Sequence, residues 1–301
     1  MKAAAELIHP NTAAARSWFS TLSDLFKARL TALVVVTTVV GFYLGDRGGM
    51  HGVLMLNTLL ATAMLASGAA ALNQYLERDH DALMARTRNR PLPSGRLQPD
   101  TVLLIGGCIS AAGLLYLAVA VNLLTSLLGA LTLISYLFIY TPLKRVTTLN
   151  TMVGAIPGAL PPLMGWTAAQ GEVTAAGWSL FAILFFWQMP HFFAIAWMYK
   201  DEYRKAGFRM LPLEDPDGAR TAHQAVLHAL GLLPISLCPF LFNVAGPVYF
   251  LGALVLGAVY TGTAIRFAMS RTRGRARVLF LTSIIYLPLL LGLLVIDKIK
   301  F

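Results

Sequence analysis

Long apolar runs alternate with short polar stretches along most of the chain. Nine runs of about 20 residues, the length at which a helix crosses a bilayer, are centred near residues 36, 63, 112, 132, 158, 187, 233, 257 and 287. The pattern predicts an all-α integral membrane protein with nine transmembrane helices. It divides the chain into an N-terminal segment (1–26), a membrane domain (27–296) and a short C-terminal tail (297–301).

Composition supports this class, and the placement of charge orients it. Of 301 residues, 57% are hydrophobic and 13% are charged, with a mean hydropathy of +0.66 and a formal net charge of +10. If nine helices alternate from a cytoplasmic N-terminus, all of the 24 Lys and Arg residues except Arg47, Lys298 and Lys300 fall on the inner side. Inner loops carry such an excess, so the C-terminus is expected outside. Because the basic residues border spans, the partner that they indicate is a lipid bilayer, and the positive charge does not imply a nucleic-acid partner.

Further signals limit the compartment and the redox chemistry. The first 26 residues lack the continuous apolar core of a cleavable signal peptide and have no basic, serine-rich leader, which favours the plasma (inner) membrane of a bacterium. Cys108 and Cys238 lie inside apolar runs without a CxxC pattern. Disulfide frameworks and cysteine-based metal sites are therefore not expected.

Two inner connections, about residues 77–101 and 200–221, are long and carry both signs of charge, whereas the outer connections are short and nearly uncharged. They follow the second and the sixth spans, and the four spans between them restore the direction through the membrane. Both loops are thus expected at one membrane face, and functional residues are often found on loops. The spacing also suits a parallel internal repeat.

The first of these loops follows directly on the stretch NQYLERDHDALMARTRNRPLP, residues 73–93. If the second helix continues through residue 81, Asn73, Glu77 and Asp81 are spaced four residues apart and form one stripe, while Asp79 points away. Aligned carboxylate and amide oxygens suit Mg²⁺. An ordinary solvated helix end is the alternative, but Asn73 lies one turn deeper than solvation explains.

Basic residues accompany these acids. Arg86, Arg88 and Arg90 follow in the same loop, and Lys144 and Arg145 enter the fifth span. Arginine and lysine at such positions supply the cations that a phosphate-bearing ligand needs.

The fifth span contains NTMVGAIPGALPPLMGW, residues 150–166, which is rich in glycine and proline. This composition predicts that the span is not one straight helix. Broken helices are tolerated at membrane depth where they line a cavity or a protein interior. A tightly packed crossing of small residues is the alternative, and the two are compatible.

The sixth span ends in FFWQMPHFFAIAWMYKDEYRKAGFRMLP, residues 185–212. Pro190 removes a helical hydrogen bond, which predicts a kink and an opening in the middle of this helix. Gln188 and His191 lie at the break. Either they satisfy backbone groups freed by the proline, or His191 is a ligand or an acid/base contact for a buried substrate.

The cytoplasmic end of the sixth span carries a second mixed-charge cluster. Its members are Tyr199, Lys200, Asp201, Glu202, Tyr203 and Arg204. Two such clusters at one membrane face, above an apolar bundle, indicate a site for an amphiphile with a polyanionic head, and an isoprenyl diphosphate fits this best. Mg²⁺ and basic side chains would stabilise the departing diphosphate, and aromatic residues such as Trp187, Phe192 and Tyr140 would shield the allylic cation.

The motifs resemble those of the haem O synthase branch of the UbiA-type intramembrane prenyltransferases. NQYLERDHDALMARTRNRP is similar to the first signature of that branch, and LKR, NTMVGAIPGALPPLMGW and WQMPHFFAIAWMYKDEYRKAGFRMLP resemble later ones in order and spacing. The likeness covers about residues 27–296. It implies nine helices around a central cavity, farnesyl diphosphate and haem B as substrates, and a terminal oxidase or haem A synthase as assembly partners.

Motifs and resemblance together assign three groups of site residues. Asn73, Glu77, Asp81, Lys144, Arg145 and His191 are expected to be catalytic; Arg86, Arg90, Gln188, Trp187, Lys200, Tyr203 and Arg204 to bind substrate; and Glu77, Asp81, Asp201 and Glu202 to bind Mg²⁺. Glu77 replaces the aspartate found in many members. Tyr199 and Tyr203 replace aspartates of the wider superfamily, which speaks against a second fully liganded Mg²⁺.

Two other functions are compatible with the same features. A prenyltransferase for another acceptor, an aromatic acid or a tetrapyrrole, would use the same donor site. A transporter of an amphipathic anion would also have broken helices and a repeat, although carboxylates clustered at the cytoplasmic face argue against it.

Overall fold

The computed structural model describes residues 18–49 and 51–299, and these ranges are helical almost throughout. Three of the basic residues used to predict the orientation, Lys2, Arg16 and Lys300, lie outside the described ranges. The helices are α1 (Trp18–Leu25), α2 (Ala28–Gly45), α3 (Gly52–Asp81), α4 (Pro99–Ala120), α5 (Leu123–Ile134), α6 (Thr141–Leu143), α7 (Asn150–Gln170), α8 (Ala175–Met198), α9 (Lys200–Lys205), α10 (Ala219–Leu241), α11 (Pro247–Ser270) and α12 (Arg273–Ile296). A π-helical segment, Ser135–Tyr140, joins α5 to α6.

Eight helical runs in the described ranges are long and apolar enough to cross a membrane. They are α2, α3, α4, the run Leu123–Leu143, α8, α10, α11 and α12. The remaining predicted span, the fifth, corresponds to α7, whose glycine, proline, threonine and glutamine residues make it less apolar. Most residues of α7 are buried, so this helix meets protein where the others meet lipid.

The helices form two groups that share α7 as their central member. In the first group α2, α3, α4 and α5 pack in sequence, and α7 lies against α2 and α5. In the second group α8, α10, α11 and α12 form a closed ring of contacts. The groups meet where α7 packs on α8 and where α2 touches α8 and α12.

The crossing of α2 and α7 depends on residues without bulky side chains. A Cβ atom at Gly41 would collide with the backbone of Pro162, and one at Gly165 would collide with the carbonyl of Thr38. The predicted interruption of this span was wrong, because α7 is an unbroken helix that contains Pro157, Pro161 and Pro162. Neighbouring helices re-satisfy freed backbone groups around membrane prolines, and here the small residues allow α2 to approach closely.

The two long inner loops, predicted to lie at one membrane face, pack against each other. His80 Nδ1 lies 3.0 Å from the Ala206 carbonyl oxygen, and the Ala85 amide donates to Glu202 Oε2 at 2.8 Å. Arg86 reaches the Tyr203 hydroxyl at 3.3 Å. The ends of α3 and α8 are thereby held at the same face of the bundle.

The start of α10 is organised by a buried carboxylate. Asp215 accepts hydrogen bonds from the Thr221 amide at 2.7 Å and the Thr221 hydroxyl at 2.8 Å, and its side chain is 2% exposed. Burial alone would raise the pKa of Asp215, but these hydrogen bonds outweigh it and lower the pKa below the ordinary value. The carboxylate satisfies an amide of the first helical turn that would otherwise lack a partner.

We expect Asp215→Ala to lower the free energy of unfolding by about 1 to 2 kcal/mol, the cost of losing such a cap. Because folding lowers this pKa, the contribution is complete above the ordinary Asp value of about 3.9 and is lost as the pH falls through the lower folded-state value. Thermal unfolding in detergent between pH 3 and pH 8 measures it. A destabilisation that persisted undiminished at the acid end would contradict this account.

Candidate active site

A cavity of about 350 Å³ lies between α2, α3, the α5 to α6 run, α7 and α8. Its lining changes character with depth. Charged side chains, among them Lys27 and Lys144, line the end of the cavity beneath the two long loops. Val34, Ala66 and Pro161 line the end that lies deeper in the helix bundle. Along α3 the lining runs from Asp81 to Ala66, which is about 22 Å at 1.5 Å per residue. The shape suits a ligand with a charged head and an apolar tail.

The stripe predicted on α3 forms one wall of this cavity. The helix continues through Asp81, as the spacing required. Asn73, Glu77 and Asp81 all line the cavity and are 1%, 4% and 1% exposed. The side chain of Asp79 is 84% exposed, on the other side of the helix. The helical period therefore separates three enclosed polar side chains from a solvated one.

Each member of the stripe contacts a cationic side chain from another segment. These contacts come from the start of α2, from the end of α6 and from the loop after α3. They are Lys27 Nζ to Asn73 Oδ1 at 2.7 Å, Lys144 Nζ to Glu77 Oε1 at 2.7 Å, and Arg90 Nη1 to Asp81 Oδ2 at 2.6 Å.

Lys27 belongs to the site although sequence reasoning counted it only as a basic residue before a span. It precedes α2 in a left-handed conformation with φ 46°, and its side chain lines the cavity. Burial and the nearby charge of Arg90 lower the pKa of Lys27 to about 7. Burial also opposes the charge of Lys144, but Tyr140 and Glu77 outweigh it and raise the pKa of that lysine above its usual value.

The π-helical segment places two tyrosines in the wall. Tyr136 and Tyr140 stack with ring centroids 5.9 Å apart, and Lys144 Nζ lies 4.5 Å from the Tyr140 ring centroid. Thr141 receives a hydrogen bond from Asn73 at 3.3 Å. Such segments often occur at functional sites, and here the altered winding brings aromatic faces beside the charged stripe.

The charged end carries an excess of positive groups. Four cationic side chains line it, Lys27, Arg86, Arg90 and Lys144, against the carboxylates of Glu77 and Asp81. The Oδ1 atom of Asp81 is enclosed and has no hydrogen-bond partner among the described residues.

A divalent cation would have only these two carboxylates as acidic ligands. Within residues 18–49 and 51–299, no group of three or more His, Cys, Asp or Glu side chains is placed to hold a metal. Mg²⁺ typically uses one or two carboxylates together with water and substrate phosphates. The donor set fits an ion that arrives with a phosphorylated ligand.

The second predicted cluster is only partly at the cavity. Tyr203 lines it, and Glu202 holds the Ala85 amide next to Arg86. Asp201 pairs with Arg204 at 3.4 Å, with both side chains exposed, and Lys200 lies over the Trp197 ring. Asp201 and Glu202 are thus not brought together with Glu77 and Asp81. Arg145 is also exposed and outside the lining.

Adjacent residues of α8 separate onto two faces. Gln188 and Phe192 line the cavity, and Gln188 donates to the Ala155 carbonyl of α7 at 2.7 Å. Trp187 and His191 face α12, where both contact Ser283. The structure therefore places the predicted histidine behind the cavity wall, against Phe192 and outside the lining.

Phe208 and Met210 complete the lining from the second inner loop. Sequence reasoning missed them, as it missed Tyr136. The signal that bears on Tyr136 is its spacing: Thr132, Tyr136, Tyr140 and Lys144 recur every four residues along one run, as residues on one helical face do.

Comparisons with known proteins agree with this architecture. The UbiA prenyltransferase family matches residues 34–287. A protoheme IX farnesyltransferase from Solibacter usitatus (strain Ellin6076) is 46% identical over 284 residues, covering 91% of this chain and 97% of the relative.

Solved structures share the fold at low sequence identity. A structure of digeranylgeranylglyceryl phosphate synthase superposes with a TM-score of 0.81 at 13% identity, covering 94% of this chain and 99% of that one. A UbiA homolog from Archaeoglobus fulgidus bound to GPP and Mg²⁺ gives 0.65 at 17% identity, covering 91% and 99%.

The Lys144 to Glu77 pair provides a test of the site's electrostatics. We expect Lys144→Met to cost about 3 kcal/mol or more of stability, because it leaves Glu77 charged and enclosed without its partner. Adding Glu77→Gln should recover part of that loss. Thermal unfolding of both single variants and the double variant in detergent gives the coupling energy, and strictly additive effects would show that the two residues do not interact.

Proposed function

The chain belongs to the UbiA prenyltransferase family, and on this premise we propose that it transfers a farnesyl group from farnesyl diphosphate to a vinyl group of haem B, with addition of water, giving haem O and diphosphate. The protoheme IX farnesyltransferase of Solibacter usitatus, 46% identical over nearly its full length, supports the choice of substrates.

The observation that carries this proposal is the two-ended cavity. Its charged end has two more cationic than acidic side chains, which suits a polyanionic diphosphate. Its apolar end continues between helices toward Ala66 and Val34, which suits a hydrocarbon chain. A soluble anion would not need the apolar end, and a neutral lipid would not need the charged end.

Mg²⁺ is proposed as the cofactor, held by Glu77 and Asp81 beside the amide of Asn73. The unpartnered Oδ1 atom of Asp81 is an acceptor suited to such a cation. When bound, Mg²⁺ neutralises charge that accumulates on the departing diphosphate. The Archaeoglobus fulgidus homolog, which binds Mg²⁺ together with GPP, is consistent with this assignment.

The basic side chains act on the same leaving group. Arg86, Arg90, Lys144 and Lys27 donate hydrogen bonds to its oxygens, since all four face the charged end. In exchange Lys27, Lys144 and Arg90 release the amide and the two carboxylates that they contact in this structure. Fixed cations in a partly enclosed site stabilise developing charge more strongly than water does.

The transfer itself breaks the bond between the farnesyl C1 atom and the bridging oxygen, whose electron pair leaves with diphosphate. The terminal carbon of the vinyl group then bonds to C1, and water adds to the inner vinyl carbon and loses a proton. Tyr140, Tyr136 and Phe192 line the space beside the charged end. Their ring faces would stabilise the allylic cation, and the packed inner loops would limit stray water.

The acceptor is proposed to lie on the side of α8 and α12, where His191 and Trp187 are placed, with Gln188 on the adjoining cavity wall. The roles predicted for Arg145, Lys200, Arg204, Asp201 and Glu202 stay predictions. The charges of Arg145, Lys200 and Arg204 would attract an anionic head, and Glu202 fixes the loop that carries Arg86.

Residues 27–296 are proposed to form one membrane domain in which α7 completes nine spans in a bacterial plasma membrane. The distribution of Lys and Arg supports an N-terminus in the cytoplasm and a C-terminus outside. The site then opens toward the cytoplasm, and haem A synthase or a terminal oxidase would receive the product.

Asp81→Ala should reduce haem O formation roughly 100-fold or more, because it removes a carboxylate at the centre of the charged end. Asp79→Ala is the matched control, since its exposed carboxylate on the other side of α3 should leave the rate unchanged. Membranes that contain each variant are incubated with farnesyl diphosphate, haem B and Mg²⁺, and haem O is quantified by chromatography. Full turnover by the Asp81 variant would refute the role assigned to it.

The wild-type membranes test cofactor and acceptor in the same assay. EDTA should abolish haem O formation, and excess Mg²⁺ should restore it. If no haem O forms while an aromatic acid is prenylated, the protein is a prenyltransferase for another acceptor. Movement of intact farnesyl diphosphate across the membrane without any transfer product would indicate a carrier.

A further inference from the structure

A group of polar contacts joins α8 to α11 and α12, one helical face away from the cavity. The Trp187 indole donates to the Ser283 carbonyl at 2.9 Å, and the Tyr260 hydroxyl donates to the Trp187 carbonyl at 2.9 Å. His191 Nδ1 lies 2.7 Å from Ser283 Oγ. Polar groups that pair inside a membrane bundle are costly to place and often serve function.

The contacts of Ser283 determine which nitrogen of His191 carries the proton. Ser283 Oγ lies 2.5 Å from the carbonyl oxygen of Phe280. A carbonyl oxygen can only accept, so the single hydroxyl hydrogen of Ser283 points toward Phe280. The hydroxyl therefore presents lone pairs to His191, and Nδ1 must be the donor. In a neutral imidazole this leaves Nε2 with a free lone pair.

The Nε2 atom is unpaired in the described part of the chain and is not completely enclosed. Among the described residues no hydrogen bond to it is present, and it is not one of the enclosed polar atoms without a partner. The imidazole ring stacks on Trp187 with centroids 5.2 Å apart and contacts Phe280 at 5.0 Å. A basic nitrogen between aromatic faces is suited to a flat aromatic ligand that contains a metal ion.

We propose that Ser283 is a positioning residue that fixes His191 as an Nε2 ligand of the iron in the haem acceptor. The inference rests on the proposed function and deepens it. Histidines that bind metals almost always donate their other ring N–H to a fixed acceptor, which sets the tautomer and the ring orientation. Ser283 supplies that acceptor, and the Trp187 bond to its carbonyl holds the same turn of α12 against α8.

The position of His191 also places a bound haem next to the cavity proposed to bind farnesyl diphosphate. Phe192, the next residue of α8, lines the cavity and packs edge-on against the His191 ring with centroids 5.4 Å apart. One aromatic side chain thus separates the two sites. Haem bound through iron at His191 would therefore lie beside the cavity wall that Phe192 forms.

Purified protein in lipid nanodiscs, titrated with haem B, tests this inference spectroscopically. We expect the wild type to show a histidine-ligated spectrum in the ferric state and an iron–histidine stretch in the ferrous resonance Raman spectrum. His191→Ala should lose both features, and added imidazole should restore them. Ser283→Ala should weaken haem binding roughly 10- to 100-fold and lower the iron–histidine stretching frequency. The hydrogen bond that Nδ1 donates makes Nε2 a stronger electron donor to iron.

Two further variants separate positioning from structure. Ser283→Thr keeps the hydroxyl and should restore both the affinity and the frequency. Ser179→Ala is the matched control, because Ser179 in α8 is buried like Ser283 and donates to a carbonyl three residues back, that of Ala176, at 2.6 Å. It lies about three turns from His191 along the helix. This variant should leave the haem spectrum unchanged.

An unchanged spectrum in His191→Ala would overturn the ligand assignment, and an unchanged affinity and frequency in Ser283→Ala would overturn the positioning role. Haem O formation by the same wild-type preparation separates these failures from failure of the proposed function. A wild type that forms haem O beside an unaltered His191→Ala spectrum refutes only this inference. A wild type that binds haem without forming haem O refutes only the proposed transfer.

Discussion

Charges enclosed at the membrane face are the constraint on which the rest of this structure depends. Glu77 and Asp81 are almost completely buried, and a buried carboxylate without a partner would cost several kcal/mol. Each is compensated by a cation from a different segment, Lys144 after α6 and Arg90 in the loop after α3. The α5 to α6 run, α3 and the first inner loop must therefore meet at one point, and that point is the charged end of the cavity.

The same pairs account for how a prenyltransferase keeps this end ready without its substrate. The cations are held by acids and an amide inside the protein, so their positions are set before a diphosphate arrives. The excess of positive side chains means that the pairs do not neutralise the site. Substrate binding then exchanges partners within an existing arrangement, and Lys27, Lys144 and Arg90 need little reorganisation.

Features with a simple period were predictable, and features that depend on long-range proximity were not. The α3 stripe followed from a spacing of four residues, and the shared face of the two inner loops followed from an even number of spans. Lys27 could not be assigned, because its role arises from lying beside Asn73, 46 residues away. Trp187 and Gln188 are adjacent in sequence, and so are His191 and Phe192, yet a helical step of about 100° per residue directs the members of each pair to different faces. The glycines and prolines of α7 indicated a break, a close crossing of small residues, or both, and α7 is a continuous helix with the close crossing.

Small or cyclic side chains, Ala66, Ala69 and Pro161, line the deep part of the cavity, and Ala66 lies about four helical turns from Asp81 along α3. Substitutions there alter the room for hydrocarbon without touching the ionic contacts that activate the leaving group. Donor chain length and reaction chemistry thus occupy separable stretches of the same helices. Natural variation in one can accumulate while the other is conserved by selection, which gives this scaffold a route to new lipid specificities.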